Sequence, residues 1–287
     1  MNKKVAACVI LYNPELKVVD NIAAFGTHID LLLIVDNSPD ENPFLTSRIK
    51  EIQSNTNFVW MGGNKGIAAA LNIACRMAIQ NNFEWLLTMD QDSRFSESGF
   101  LELVKSIEEV NSLYSNPGII SPYHNVHDWF TLGGNDAFQE IRSTMTSGNL
   151  INLQAYKVIG GFEEKLFIDY VDHEYCLRLR KNSFQIIQNN SVLLGHSLGN
   201  FELKKFLWKR FGISNHNPNR RYYITRNGLY TFGKYFFFDP SFCLKILQNL
   251  LYDFVRVLFF EKDKIAKSGA MAIGFWHWVI NRFGKYE

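Results

Sequence analysis

Between Val5 and about Ser121, short apolar runs alternate with longer stretches whose apolar residues recur at helical spacing, and few folds accommodate that rhythm. The runs are Val5 to Tyr12, Leu31 to Asp36, Phe58 to Met61, Trp85 to Met89 and Gly118 to Ser121. Between them, Ile67 to Gln80 is rich in alanine, and Phe100 to Tyr114 repeats apolar positions three and four apart. Strand-sized and helix-sized segments in this order predict βαβ units and an open, mostly parallel α/β sheet. Ligands of such sheets bind beyond the carboxyl ends of the strands. The residues at those ends are Tyr12-Asn13-Pro14, Asp36-Asn37-Ser38-Pro39, Gly62-Gly63-Asn64-Lys65-Gly66 and Asp90-Gln91-Asp92-Ser93, a concentration of polar, acidic and turn-forming groups.

The totals narrow the class of protein. With 287 residues and 47% apolar composition the chain can bury a large core. Thirty basic residues against 28 acidic ones leave a formal charge of +2, which gives no reason to expect a nucleic-acid partner. Cys8, Cys75, Cys176 and Cys243 are far apart and in apolar surroundings, as expected of reduced core thiols in a cytoplasmic protein. The apolar run after Lys3-Lys4 is short and ends at Asn13-Pro14, so it reads as a first strand rather than a signal peptide. No stretch reaches the roughly 20 apolar residues that span a bilayer. Composition shifts near residue 200: residues 1–200 read as the catalytic α/β domain and residues 201–287, aromatic and basic, as a helical C-terminal region.

Leu86 to Met89 should be a buried strand that delivers Asp90 and Asp92 to the sheet's edge, with Gln91 between them. Two carboxylates suit a hard cation such as Mg²⁺ or Mn²⁺, which takes its remaining ligands from phosphate oxygens. The same residues would also suit a simple turn. Asp36 is similarly open between a turn acid and an acceptor for a base or ribose. Gly62, Gly63 and Gly66 allow close backbone approach, and Asn64 and Lys65 precede the amino end of the Ile67 helix, where an anion is favoured. The spacing is neither that of a P-loop nor that of a dinucleotide-binding glycine motif.

Further along, Ser147-Gly148 opens an apolar segment, and Asp169, Asp172 and Glu174 crowd ahead of an amphipathic helix. Acids in a first helical turn are favoured by the dipole, and one of them is also placed to act as general base on an acceptor hydroxyl. His196, in Leu193-Leu194-Gly195-His196-Ser197-Leu198-Gly199 with a glycine on either side, is a candidate third metal ligand.

With these residues assembled, the chain resembles glycosyltransferase family 2, most closely its bacterial rhamnosyltransferase branch. The motifs are VILYNP at 9–14, IVDNSPD at 34–40, NKGIAAALNIA at 64–74, LLTMDQDS at 86–93, TSGNLI at 146–151, IGGFEEKLFIDYVDHEYCLRL at 159–179, GHSLG at 195–199 and NPNRRYYITRN at 217–227. The resemblance implies a GT-A fold, Rossmann-like, and an inverting, metal-assisted transfer without a covalent enzyme intermediate. It implies that Asp36 meets a pyrimidine base, with Tyr12 and Asn13 lining the same pocket, and that Asn64, Lys65, Gly66, Gln91, Ser147 and Gly148 join the nucleotide-sugar site. Asp92 would hold the metal, Asp90 the metal or the donor's sugar, and His196 would complete the metal site. Asp172 matches the family's base, with Asp169 and Glu174 as competitors.

The implied donor is dTDP-rhamnose, and the implied acceptor is a saccharide or polyprenyl-diphosphate-linked saccharide in O-antigen or other cell-surface polysaccharide assembly. UDP-hexose or UDP-N-acetylhexosamine transfer is the alternative. A sugar-phosphate nucleotidyltransferase is disfavoured because a Gly-rich loop with following Arg and Lys is missing after Leu11; a non-catalytic carbohydrate binder is the remaining contrast. Arg220, Arg221 and Arg226 are expected either at a phosphate or paired with acids. From Pro240 to Phe260, helical spacing groups Leu244, Leu247, Leu250, Leu251, Phe254, Leu258 and Phe259 on one face. That helix packs on the catalytic domain or rests on the inner face of the cell membrane, with Lys204, Lys205, Lys209 and Arg210 nearby.

Overall fold

The computed structural model describes residues 4–125, 136–196, 202–206, 209–213 and 215–286. The chain forms two compact units, one of residues 1–163 and 175–197, the other of residues 164–174 and 198–287.

The first unit follows the alternation of the sequence closely. Its elements are β1 (Val5–Leu11), α1 (Lys17–Gly26), β2 (Leu31–Asp36), α2 (Pro43–Ile52), β3 (Thr56–Trp60), α3 (Ile67–Gln80), β4 (Trp85–Asp90), β5 (Ser93–Phe95), α4 (Glu97–Leu113), β6 (Pro117–Asn125), β7 (Phe138–Glu140), β8 (Asn149–Asn152) and α5 (Leu153–Ile159). Helix α6 (Val171–Lys181) follows, its residues from Tyr175 onward belonging to this unit and its first turn to the other, and then β9 (Gln185–His196). The sheet runs β3-β2-β1-β4-β8-β6-β9-β5, with β7 beside β9. Its first four strands are parallel, and β8 is antiparallel to both β4 and β6. This is a mixed sheet, its parallel half lying where the βαβ pattern is cleanest.

Every residue of β1 is buried, as is β2 up to Val35. Parallel strands covered on both faces carry continuous apolar runs rather than alternation, which is why these segments stand out in the sequence. Helix α1 turns Val18, Ile22 and Phe25 inward, and Phe25 meets Phe100 of α4 with ring centroids 5.8 Å apart. Local capping fixes the helix starts: Asn42 Oδ1 accepts from Leu45 N, and Ser96 Oγ accepts from Gly99 N. The four cysteines are buried and unbridged. Burial pushes the Cys8 thiol up to about 12, so it stays protonated and inert.

The second unit contains α7 (Pro218–Tyr235), α8 (Pro240–Phe259) and α9 (Lys264–Val279). It also holds an antiparallel hairpin, β10 (Glu202–Phe206) with β11 (Lys209–Ile213), that the expected all-helical reading omits. The hairpin sequences, ELKKF and KRFGI, are charged and short, so backbone pairing forms them without an apolar signature. The side chains of Lys204, Lys205, Lys209 and Arg210 lie outside the described part of the structure. Gly274 of α9 sits where an added Cβ would be 2.6 Å from the Tyr222 carbonyl oxygen, so only glycine lets α9 approach α7 this closely. Of the apolar face expected on α8, Leu250 is the buried member. Cys243, Ile246, Leu250 and Val257 are buried, whereas Leu244, Leu251, Phe254, Leu258 and Phe259 are exposed. The helix is apolar on two sides, and periodicity alone cannot choose which side packs.

Candidate active site

The strand ends of the first unit are tied together by side chains that bond to backbone. Parallel strands stop at unpaired backbone groups, and these must find partners. After β1, Tyr12 is held by the Gln91 amide, which accepts from Tyr12 N at 2.9 Å and donates to Tyr12 O at 3.2 Å. Asn21 of α1 fixes the same turn by donating to the Gln91 carbonyl. Gln91, expected at the nucleotide sugar, therefore spends its amide as a clamp between the Asp90-Gln91-Asp92 turn and the end of β1. Asn13, in the left-handed region at φ 44°, donates its N–H to Ser38 Oγ. Ser38 in turn donates its N–H to Asp36 Oδ1 at 2.8 Å.

The glycine-rich turn after β3 is fastened to the same place. Asn37, buried, accepts from Lys65 N at 3.1 Å and donates to Gly66 O at 3.3 Å. Asn64 Oδ1 closes the turn by accepting from Gly66 N. Gly62, Gly63 and Gly66 have φ of 67°, 112° and 93°, and an added Cβ at Gly62 or Gly63 would meet nothing within 4 Å. These glycines are needed for backbone conformation, and open space lies beside Gly62 and Gly63.

Asp90 ends β4, and its N–H donates to Ser147 Oγ at 3.0 Å. The Ser147 carbonyl oxygen lies 2.7 Å from His124 Nε2. Gly148 has φ 80°, and a Cβ there would stand 2.6 Å from Leu194 Cδ2 and 2.9 Å from Pro122 Cγ. Both left-handed geometry and a core collision oppose any side chain, so Gly148→Ala should cost about 2–4 kcal/mol. A midpoint of chemical denaturation unchanged from wild type would contradict that expectation. The register sets His196 of β9 opposite Ser93, the residue after Asp92; the His196 side chain lies outside the described part of the structure. Among the described residues no three His, Cys, Asp or Glu side chains gather as a metal cluster. Asp90 and Asp92 supply an oxygen-only pair, the donor chemistry of a hard cation that shares its shell with phosphate.

One residue that sequence reading passed over anchors the end of the first unit. Asn72 of α3 donates to Phe162 O at 2.9 Å and accepts from Phe162 N at 2.7 Å and from Tyr156 OH at 3.0 Å. A Cβ on Gly161 would lie 2.5 Å from Asn72 Oδ1, which explains the Gly160-Gly161-Phe162 turn. The signal was a polar residue on the buried face of α3, among Ala68, Leu71 and Cys75.

In the second unit the loop before α6, which carries Asp169, is strained. Phe167, Asp169 and Tyr170 have φ of 65°, 59° and 63°, conformations that cost non-glycine residues energy and persist only where surroundings impose them. The imposing group is Asn227 of α7, fully buried, whose Nδ2 donates to the carbonyls of Leu166 (2.7 Å), Ile168 (2.7 Å) and Asp169 (3.1 Å). Arg226, also buried, donates to the Leu166, Lys165 and Gly284 carbonyls and orients Asn227 by donating to its Oδ1. Arg226 is thus committed to the loop's backbone.

The three candidate acids have different surroundings. Asp172 lies in the first turn of α6 and accepts from His173 N through Oδ1 at 2.8 Å. Asp169 accepts from Arg220 Nε at 3.2 Å; burial pushes its carboxyl up and the Arg220 guanidinium pulls it back. Glu174 is buried, bonded by Lys234 Nζ at 2.8 Å and Tyr235 OH at 2.6 Å. Arg221 is buried between Asp253, at 2.8 Å, and Glu261, the acid-paired one of its two expected roles.

The family model for glycosyl transferase family 2 matches residues 9–158, which takes in the Tyr12, Asp36, Lys65 and Asp90 turns. The chain belongs to that family. A curated relative of this family 2 glycosyltransferase, the dTDP-rhamnosyl transferase RfbF of Shigella flexneri, is 29% identical over 79% of each chain. Among solved structures, S. aureus TarS residues 1–349 with UDP-GlcNAc aligns over 96% of this chain and 80% of that one, with a TM-score of 0.60 at 14% identity. GalNAc-T7 with UDP, GalNAc and Mn²⁺ aligns over 67% of this chain and 43% of that one, with a TM-score of 0.56 at 12% identity. The chain spans 44% of the longer TarS structure. At such identities the likeness is one of fold, and it places this glycosyltransferase on a GT-A scaffold.

Proposed function

We propose that this enzyme transfers L-rhamnose from dTDP-rhamnose to a saccharide acceptor, free or polyprenyl-diphosphate-linked, with inversion at the anomeric carbon. The observation that carries the reading is the relative named a dTDP-rhamnosyl transferase, matched over most of both chains. In this reading the turns after β1, β2 and β3 receive the nucleotide. Asp36 accepts from the pyrimidine, Tyr12 and Asn13 line its pocket, and the Asn64-Lys65-Gly66 turn faces the diphosphate. The positive-φ glycines beside it support that assignment, because they let backbone amides approach phosphate oxygens.

Asp92, with Asp90, would hold Mg²⁺ or Mn²⁺, with His196 as a third ligand. When bound, the cation supplies positive charge opposite the departing diphosphate. The choice of a hard cation rests on the oxygen-only donor pair, and the Mn²⁺ in the GalNAc-T7 structure is consistent with it.

Asp172 takes the proton from the acceptor hydroxyl as that oxygen bonds to the anomeric carbon and the donor's carbon–oxygen bond to diphosphate breaks. A single displacement needs one base and no covalent intermediate on the protein. Asp169 and Glu174 fit the role less well, since one is bonded to Arg220 and the other is engaged by Lys234 and Tyr235.

The test is release of nucleoside diphosphate from a panel of nucleotide sugars by purified protein with Mg²⁺ or Mn²⁺. dTDP-rhamnose should be consumed at least tenfold faster than UDP-glucose, UDP-galactose or UDP-N-acetylglucosamine. Turnover confined to a UDP-sugar would overturn the donor assignment and leave the family untouched.

A further inference from the structure

The C-terminal helices carry apolar side chains that the fold leaves uncovered. On α8, Leu244, Leu251, Val255 and Phe259 are 53%, 59%, 45% and 67% exposed. Their spacings of seven, four and four residues put them on one face of a helix. On α9 and its C-cap residue Ile280, Ile265, Trp276, Val279 and Ile280 are exposed and share a face in the same way. Single exposed apolar residues need no explanation, but stripes running the length of two helices mark a surface with a partner.

The exposed charge on this segment is almost all of one sign. Asp253 and Glu261 are taken up within the fold by Arg221 and Lys267. Asp239 is buried as the cap of α8. That leaves Lys245, Lys262, Lys264, Arg282 and Lys285 exposed between Pro240 and Tyr286, against Asp263 as the exposed acid. No helix of the described residues is long and apolar enough to cross a membrane.

We infer that the outer faces of α8 and α9 dock on the surface of an anionic lipid bilayer, lying in its plane without spanning it. The apolar stripes enter the acyl boundary, Trp276 sits at headgroup level, and the lysines and arginines pair with lipid phosphates. A second copy of the chain fits less well. A symmetric pairing through these faces would bring its basic residues against each other. The inference does not depend on the donor sugar.

Vesicle co-sedimentation of the full chain tests it. Binding to vesicles of phosphatidylethanolamine and phosphatidylglycerol should be at least tenfold tighter than to phosphatidylcholine vesicles, and should weaken in high salt. Leu251→Glu with Phe259→Glu should lower it at least tenfold, and so should Lys245→Glu with Lys262→Glu and Lys264→Glu. Because all five positions are exposed, circular dichroism should report unchanged folding for both variants. No binding to the anionic vesicles would overturn the inference. So would equal binding by wild type and both variants, or a concentration-dependent dimer that Leu251→Glu dissociates in the absence of lipid binding.

Discussion

Asp172→Asn should lower turnover by about 10³-fold while leaving donor affinity within a few-fold of wild type. Removing a general base typically costs 10²- to 10⁴-fold in rate, and the amide keeps the size of the carboxylate. It also keeps an oxygen able to accept from His173 N, the bond that Asp172 Oδ1 makes in the first turn of α6. Folding should therefore survive and chemistry should not. The neighbouring acids provide the contrast. Glu174→Gln leaves Lys234 and Tyr235 facing a neutral group in a buried setting, so its main effect should be on stability. Calorimetric donor binding and initial rates on the two variants separate these outcomes. Full activity in Asp172→Asn would remove it as the base and return the role to Asp169.

Asn227→Leu should be the most damaging substitution in the second unit, costing about 3 kcal/mol or more. Leucine has similar bulk but cannot donate, so the carbonyls of Leu166, Ile168 and Asp169 lose their shared partner. The Leu166 carbonyl keeps Arg226 as a donor, but the Ile168 and Asp169 carbonyls lose this one, and buried acceptors without donors cost about 1–3 kcal/mol each. They would also cease to hold Phe167, Asp169 and Tyr170 at positive φ. Since that loop leads directly into Asp172, kcat should fall along with the melting temperature. Asn227→Asp tests the mechanism, because it retains shape and loses the donating nitrogen. If Asn227→Leu melts like wild type, the loop is held by something other than this amide.

The parallel half of the sheet was legible because burial on both faces leaves uninterrupted apolar runs in β1, β2 and β4, and the strand-end turns followed from them. The division of labour among polar residues was not. Gln91 looks like any polar residue between two aspartates, and only the geometry reveals its amide closed on Tyr12. Arg221 is basic and lies in a motif rich in arginine, yet Asp253 and Glu261, which bury it, come more than thirty residues later. Asn227 is similar, since its partners are backbone carbonyls about sixty residues away. Such long-range polar pairing leaves no periodic trace. The packed side of α8 was hidden for a different reason, since apolar residues occupy both sides and tertiary contacts decide between them.

If the turns after β1 to β4 bind a sugar nucleotide together with a divalent cation, titration of dTDP-rhamnose into wild type and Asp92→Ala with and without Mn²⁺ will show it. Wild type should bind, at least tenfold more weakly when the metal is withheld, and Asp92→Ala should show the same weakening even with metal present. Equal affinity in all four titrations, or no binding by wild type with Mn²⁺, would contradict it.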